Sequence, residues 1–575
     1  MNKYKRWGIV AVTVFLVMLI TGILLPMMFY LNDDTTLRNV MSGAYTGVPE
    51  GHAVNMEYPL TGLISLLYRL FGKIPWFSVF MSGFIWLSAT MVLVELAGRT
   101  EGRKGTVLTI SMGILCASFF LPNMVSMHYT VIAAILGSCG LFLTIIGSGK
   151  KAVVLLVFCY CVRTEVFFLM LPFLLVVVLW LLWENRSWKP FLNVAILAVS
   201  ILCCVGWNNF MYRSEEWRQF QKFHDNRVEL YDYCGLSPYT ENADRYESVG
   251  IGEEEYIILE QYALVLEDKA DAEMLKNASE VYIEKRNEDR NIKEYLQFCL
   301  VEYYYHTLYT DKPYNYILIC AYLVTVVLLI RGRRWIQMLL LCCMAGGRSI
   351  IWLFLIWRGR FPERVYVSLY FLEIMVLAGM ACVMLTERSR HIGSVETENK
   401  LEDNGKKWKS NAVVGLCGLA AVLLITAGYV QMSVALDQAI VQEELQKEWD
   451  VLTEYCTGRE DCFYLLDVRS MVSYASRVWE PVSGKANYLL AGGWMSRTPL
   501  LKARLASMGA MDGGELLVKG EAEGTKIFYI AKPNRDMNWL SKYLSSRFGE
   551  VIVEKTDSIM QGDRELFCVY GVTYP

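Results

Sequence analysis

Apolar residues in this chain come in long unbroken blocks, not in the alternating or 3.6-residue patterns of a soluble fold. Blocks approaching or exceeding the roughly 20 residues that a bilayer requires occupy 8–30, 76–97, 105–121, 125–146, 191–210, 314–330, 335–357, 365–385 and 411–431. A further apolar stretch, 151–183, is too long for one helix and is interrupted by Arg163, Thr164 and Glu165. It predicts a short rising helix, a polar break and a returning helix. Nine blocks and these two halves make eleven spans. The first block has the basic flank of a signal peptide but no small-residue cleavage site, and it runs on through Pro26 to Tyr30, so it predicts a retained anchor.

Charge orients the spans, because cytoplasmic loops carry an excess of Lys and Arg. With Lys3, Lys5 and Arg6 inside, the inner loops become 99–104, 150–151, 186–189, 331–334 and 387–410, and all but the last are short and basic. Treating 151–183 as one span would put Arg331, Arg333 and Arg334 outside, against the rule. The expected fold class is therefore a multi-span α-helical membrane protein with its C-terminus outside. A transmembrane domain, 1–435, carries an outer loop, 31–75, in which 60–70 predicts a surface helix, and a helical outer cap, 211–313. In the cap, 253–266 and 270–286 predict helices. The remainder, 436–575, alternates strand-like runs (462–466, 526–530, 550–553, 566–570) with a helical one (538–547), the pattern of a small extracytoplasmic α/β domain.

Composition agrees with this division: 54% of 575 residues are hydrophobic, yet 20% are charged, so bilayer and water-facing parts coexist. A net charge of −3 without a clustered basic surface argues against nucleic acid as a partner. Most of the sixteen cysteines, among them Cys116, Cys139, Cys203 and Cys343, lie in apolar blocks as small hydrophobes. Only Cys456 and Cys462 bracket a short polar stretch, which leaves room for a small disulfide loop if that stretch meets an oxidising compartment.

Ionisable residues are costly at a membrane, and here they gather at one face. Asp33 and Asp34 follow the first span directly. Such carboxylates can take a proton from a hydroxyl or hold a divalent cation against a phosphate; the structural alternative is that Asp34 caps a helix over 35–41. Arg163 and Glu165 sit at the break, and His128 opens another span. Arg348 lies toward the outer end of 335–357, and Arg358, Arg360, Glu363 and Arg364 crowd the next turn. Guanidinium groups grip phosphate oxygens bidentately. The alternatives are snorkelling for Arg358, Arg360 and Arg364, an Arg163–Glu165 ion pair, and a satisfied interfacial histidine for His128.

An acidic pair just after the first span, a surface helix after Tyr58-Pro59-Leu60 and an Arg-Gly-Arg-Phe-Pro-Glu-Arg turn at 358–364 resemble the GT-C superfamily of polyprenyl-phosphate-dependent glycosyltransferases. Many members carry His-Pro-Pro where this chain has Tyr58-Pro59-Leu60, with His52 earlier. The resemblance implies a multi-pass enzyme of the bacterial cytoplasmic membrane that moves a sugar from a polyprenyl-phosphate carrier to a glycan, lipid or protein acceptor at the outer face. It implies that Asp33 or Asp34 activates the acceptor hydroxyl or helps hold a divalent cation (Mg or Mn). Arg348, Arg358, Arg360 and Arg364 would then hold the donor phosphate, and Arg163, Glu165, His128 and Tyr58 would line the cavity. Competing readings are a lipid-linked oligosaccharide flippase, an oligosaccharide polymerase or ligase, and a non-catalytic envelope scaffold. A flippase usually shows repeated halves and polar breaks at the bilayer midplane, and no repeated halves are evident in the sequence.

Overall fold

The structure, a computed structural model, describes residues 3–99, 102–185, 188–393, 403–482 and 484–574. Among them nine helices are long and apolar enough to cross a membrane, from Tyr4–Leu24 to Ala420–Thr457. Two more apolar helices are shorter: Tyr129–Ile145, with 17 residues, and Gly149–Val162, with 14. The 151–183 stretch divides at the expected break, where Arg163 is extended (φ −156°, ψ 107°) between Gly149–Val162 and Thr164–Asn185.

The shortness of Tyr129–Ile145 goes with its position, because every one of its residues is buried. It packs against Trp76–Arg99, Gly149–Val162, Thr164–Asn185 and Glu363–Gly393. Small residues permit the approach: a Cβ at Gly140 would stand 2.7 Å from Leu156 Cδ2. Peripheral helices show the opposite composition logic, with Ile23 and Leu24 on the first helix 72% exposed, as suits contact with lipid.

The two ends of the bundle differ in chemistry. At one end Arg99 meets Ser148 and Glu95, Lys151 meets Glu95 and the Trp7 ring, and Arg334 and Gln337 meet Glu184. At the other end gather the exit of the first helix, the Arg163 break, the 358–364 turn, the cap and the C-terminal domain. The first helix stops at Leu24, before Pro26, and not at Tyr30. Met28–Phe29 is instead extended, pairs in parallel with Ser126–Met127 and is flanked on its other side by the C-terminal domain, where Phe29 N–H donates to Ser476 O (3.0 Å). The Tyr58–Leu70 helix forms as expected, with Ile64 and Tyr68 buried while Leu63, Leu66 and Leu70 are exposed.

Two expected boundaries move. The division at 435/436 falls inside one 55-residue helix, Asp403–Thr457, because the polar residues after the apolar block are helix formers without a Pro or Gly to stop them. The cap, read as part of the membrane domain, shares a hydrophobic core with the C-terminal domain: Phe220, Leu264 and Leu266 join Leu465, Leu516 and Leu540. Its 253–266 helix ends earlier, as Glu253–Gln261, at Tyr262 in the left-handed region (φ 57°). The following residues run into the C-terminal domain, where Val265 N–H donates to Ala491 O (2.9 Å) and Val265 O accepts from Gly513 N–H (2.8 Å).

The C-terminal sheet has the order Tyr488–Leu490, Cys462–Leu466, Thr525–Ala531, Arg564–Thr573, Ile552–Gln561, with Glu521–Ala522 paired to Thr525–Ala531. The first three are parallel and the last two form an antiparallel hairpin. Cys456 and Cys462, whose pairing the sequence left open, are both free thiols in its buried layers.

Candidate functional site

Asp33 and Asp34 lie in the first turn of a short helix, Asn32–Ser42, where negative charge favours the helix dipole. Leu31 occupies the N-cap, so Asp34 does not cap its own helix. It serves another: its Oδ1 accepts the Tyr129 N–H (2.9 Å) at the start of the buried helix, satisfying an orphan donor there. Its Oδ2 is buried without a hydrogen-bond partner. Burial first, then the neighbouring Asp33, push the Asp34 carboxyl well above the usual range, against the lowering by the Tyr129 N–H and Arg364.

Asp33 is half-buried and has no hydrogen bond or ion pair among the described residues. Cations stand within electrostatic reach of the pair: Arg163 and Arg360 of Asp33, Arg364 of Asp34. Arg163 is fixed by Tyr129 OH (2.7 Å) and by Glu165 (2.9 Å), the ion pair that the sequence offered as an alternative. Arg360 pairs with Asp232 (2.6 Å) of the cap. Its guanidinium is nevertheless pushed down to about 10, by burial first and then by the crowding of Arg364, Arg163 and Arg227. Such a cluster repels itself and gains from an incoming anion. Arg364 has no ion pair among the described residues and lines a cavity of about 60 Å³ with Tyr30, His128 and Glu363.

The other two arginines are placed differently. Arg358 binds Glu229 (3.0 Å) and lies over Tyr233, anchoring the cap. Arg348 is inside the bundle with Glu373 (3.4 Å), Tyr303 OH (3.0 Å) and the Trp352 ring, with Tyr322 bonded to the same Glu373. Arg348 and Arg358 thus have structural partners of their own and are not brought onto the acidic pair. Neither is Tyr58, whose ring packs against His52, itself stacked on Trp217 at 4.2 Å. His128 is the N-cap of the buried helix, its Nδ1 accepting from Thr130 N–H (3.0 Å), while Nε2 is buried without a partner.

The residues do not suit a protein-held divalent cation. Asp34 spends one oxygen on a backbone N–H and is biased toward its neutral form, which leaves Asp33 as the single acid of the pair suited to ligation. Among the described residues no group of three His, Cys, Asp or Glu side chains is arranged around a common point.

Sequence reading missed Arg227, Asp232 and Tyr262, all from the cap. Arg227 donates to Tyr262 OH (2.9 Å) and stands 4.0 Å from Asp232, while Tyr262 is within electrostatic reach of Asp33. The two acids Glu229 and Asp232, three residues apart in a helical segment, were the visible signal. No family model, curated protein or solved structure matches the chain. What the geometry offers chemically is one half-buried carboxylate beside a guanidinium cluster, at the bundle end away from the N-terminal basic residues.

Proposed function

We propose that the protein is an integral membrane glycosyltransferase that moves a sugar from a polyprenyl-phosphate carrier to an acceptor hydroxyl at the outer face of a bacterial cytoplasmic membrane. The observation that carries this reading is the unpaired Asp33 carboxylate set within electrostatic reach of Arg163 and Arg360. The positive-inside rule assigns the Lys3, Lys5 and Arg6 end to the cytoplasm, and the acidic pair, one pass later, then faces outward.

In the proposed reaction Asp33 accepts the proton of the acceptor hydroxyl as its oxygen bonds to the anomeric carbon of the donor sugar. The bond from that carbon to the phosphate oxygen breaks, and the phosphate leaves on its lipid with the electron pair. Arg364 and Arg360 meet the charge that appears on it, with Arg163 completing the positive field, in a partly dehydrated site where such interactions are strongest. Asp34 has a positioning role: it ties the Asn32–Ser42 helix to the start of the buried helix, so that Asp33 is aimed by packed structure.

Purified protein incubated with a panel of polyprenyl-phosphate sugars tests this by release of the lipid phosphate. Transfer by the natural chain and its loss in a folded Asp33→Ala variant are expected. Lipid movement without bond cleavage would favour a flippase, and an envelope phenotype untouched by Asp33→Ala would favour a scaffold; either overturns the proposal.

A further inference from the structure

A second cleft is not on the Asp33 side of its helix. It lies between the opposite side of Asn32–Ser42 and the C-terminal domain, and its volume is about 850 Å³, within the range of ligand sites. It is a built site. Thr35 Oγ1 accepts from Ser476 N–H (2.9 Å), and the buried Arg38 donates to Ser476 Oγ (3.0 Å), which fixes one wall against the domain. Trp449, Tyr474 and Tyr488 form an aromatic wall, with Trp449 centred 5.4 Å from Tyr474 and 5.9 Å from Tyr488.

Three lining residues carry buried acceptor oxygens with no hydrogen-bond donor. Gln446, 1% exposed, gives its Nε2 to Asp450 (3.0 Å) and is left with Oε1. Asn487 gives its Nδ2 to the carbonyls of Cys456, Arg459 and Cys462, which fixes its Oδ1. Glu480 Oε2 stands 3.8 Å from Arg38 without a hydrogen bond. These oxygens are sealed from solvent, so the acceptors that the cleft offers a ligand are the exposed carboxylates of its lining. Among the exposed charges of the lining, Glu454 and Glu460 outnumber Lys485, which disfavours anions. Aromatic rings and exposed carboxylates together select a neutral polyhydroxylated chain, whose C–H faces stack on the rings while its hydroxyls donate to the carboxylates.

We infer that this cleft binds a neutral oligosaccharide. The cleft is lined by Asn32, Thr35 and Thr36, which flank Asp33 in sequence on the same helix. Naming that glycan the acceptor rests on the transfer reading; binding itself does not.

The test applies full-length, detergent-purified protein to an array of defined oligosaccharides of three to five units, neutral and uronate- or sulfate-bearing, with titration of the best-bound probe. Binding of neutral probes is expected, weakened at least tenfold by Trp449→Ala and by the cleft-filling Thr453→Trp, and kept by Asp33→Ala. If Trp449→Ala fails to fold, Thr453→Trp decides. No binding of neutral probes, preference for the anionic ones, or affinity unchanged by these substitutions overturns the inference. Neutral-glycan binding by a protein that releases no lipid phosphate would sink the transfer reading and leave this one standing.

Discussion

Replacing Arg348 by Met separates a structural guanidinium from a phosphate-holding one. The change leaves Glu373, 1% exposed, as an acid inside the helix bundle with its cation gone. Breaking a buried pair from one side costs about 3–5 kcal/mol, because the remaining charge has lost its compensation. Removing both charges, as Arg348→Met with Glu373→Leu, deletes that penalty. What is then lost is the hydrogen bond from Arg348 to Tyr303 and that from Tyr322 to Glu373, each worth about 1 kcal/mol. The double variant should therefore return to within about 2 kcal/mol of the natural chain. Unfolding in mixed micelles, followed by the fraction that stays monodisperse, measures all three. Donor turnover completes the test: a folded double variant should keep lipid-phosphate release within severalfold. If the double variant is no more stable than Arg348→Met, the pair is not what holds Arg348. If it is stable but inactive, Arg348 contacts the carrier after all.

Other expectations follow from particular side chains. Burial, with Cys204 and Glu165 nearby, pushes the Glu57 carboxyl up to about 7. Its stabilising contribution is present below the ordinary 4.5 and is lost as pH rises through 7, so Glu57→Gln should flatten the pH dependence of thermal stability and gain up to about 3 kcal/mol at pH 8. An unchanged slope would contradict this. Arg364→Ala should lower lipid-phosphate release by about 10²–10³ in rate, whereas Arg358→Ala, which frees Glu229 of the cap, should cost less than tenfold; kinetics giving the reverse order would exchange their roles. Alkylation of the unfolded, unreduced protein should label both Cys456 and Cys462 in peptide mass spectra, and a bridged peptide would refute the free thiols.

The spans were legible because length and apolarity are local properties, and the break at Arg163 was legible because three polar residues interrupt an otherwise apolar stretch. What the sequence hid was pairing across distance. The crowd of Arg358, Arg360 and Arg364 was visible, but its sorting was not, since Glu229 lies 129 positions from the Arg358 it binds. Asp34 looked like a cap for its own helix and is bonded instead to a helix start 95 positions away. The union of cap and C-terminal domain was equally hidden, because it is made by residues such as Val265 and Ala491 whose local patterns announce only an apolar stretch. The acidic pair was found as a unit, yet its two members differ through burial, which no adjacency in sequence reveals: one carboxyl is sealed and structural, the other half-open.

A double-mutant cycle on lipid-phosphate release from a polyprenyl-phosphate sugar, with Asp33→Ala, Arg364→Ala and both together, asks most directly whether acid and guanidinium serve one site. Groups that act as a unit are non-additive, so each single change should abolish most of the rate and the pair should be no slower than the worse of the two. Losses that multiply independently, or a natural rate in Asp33→Ala, would contradict the account.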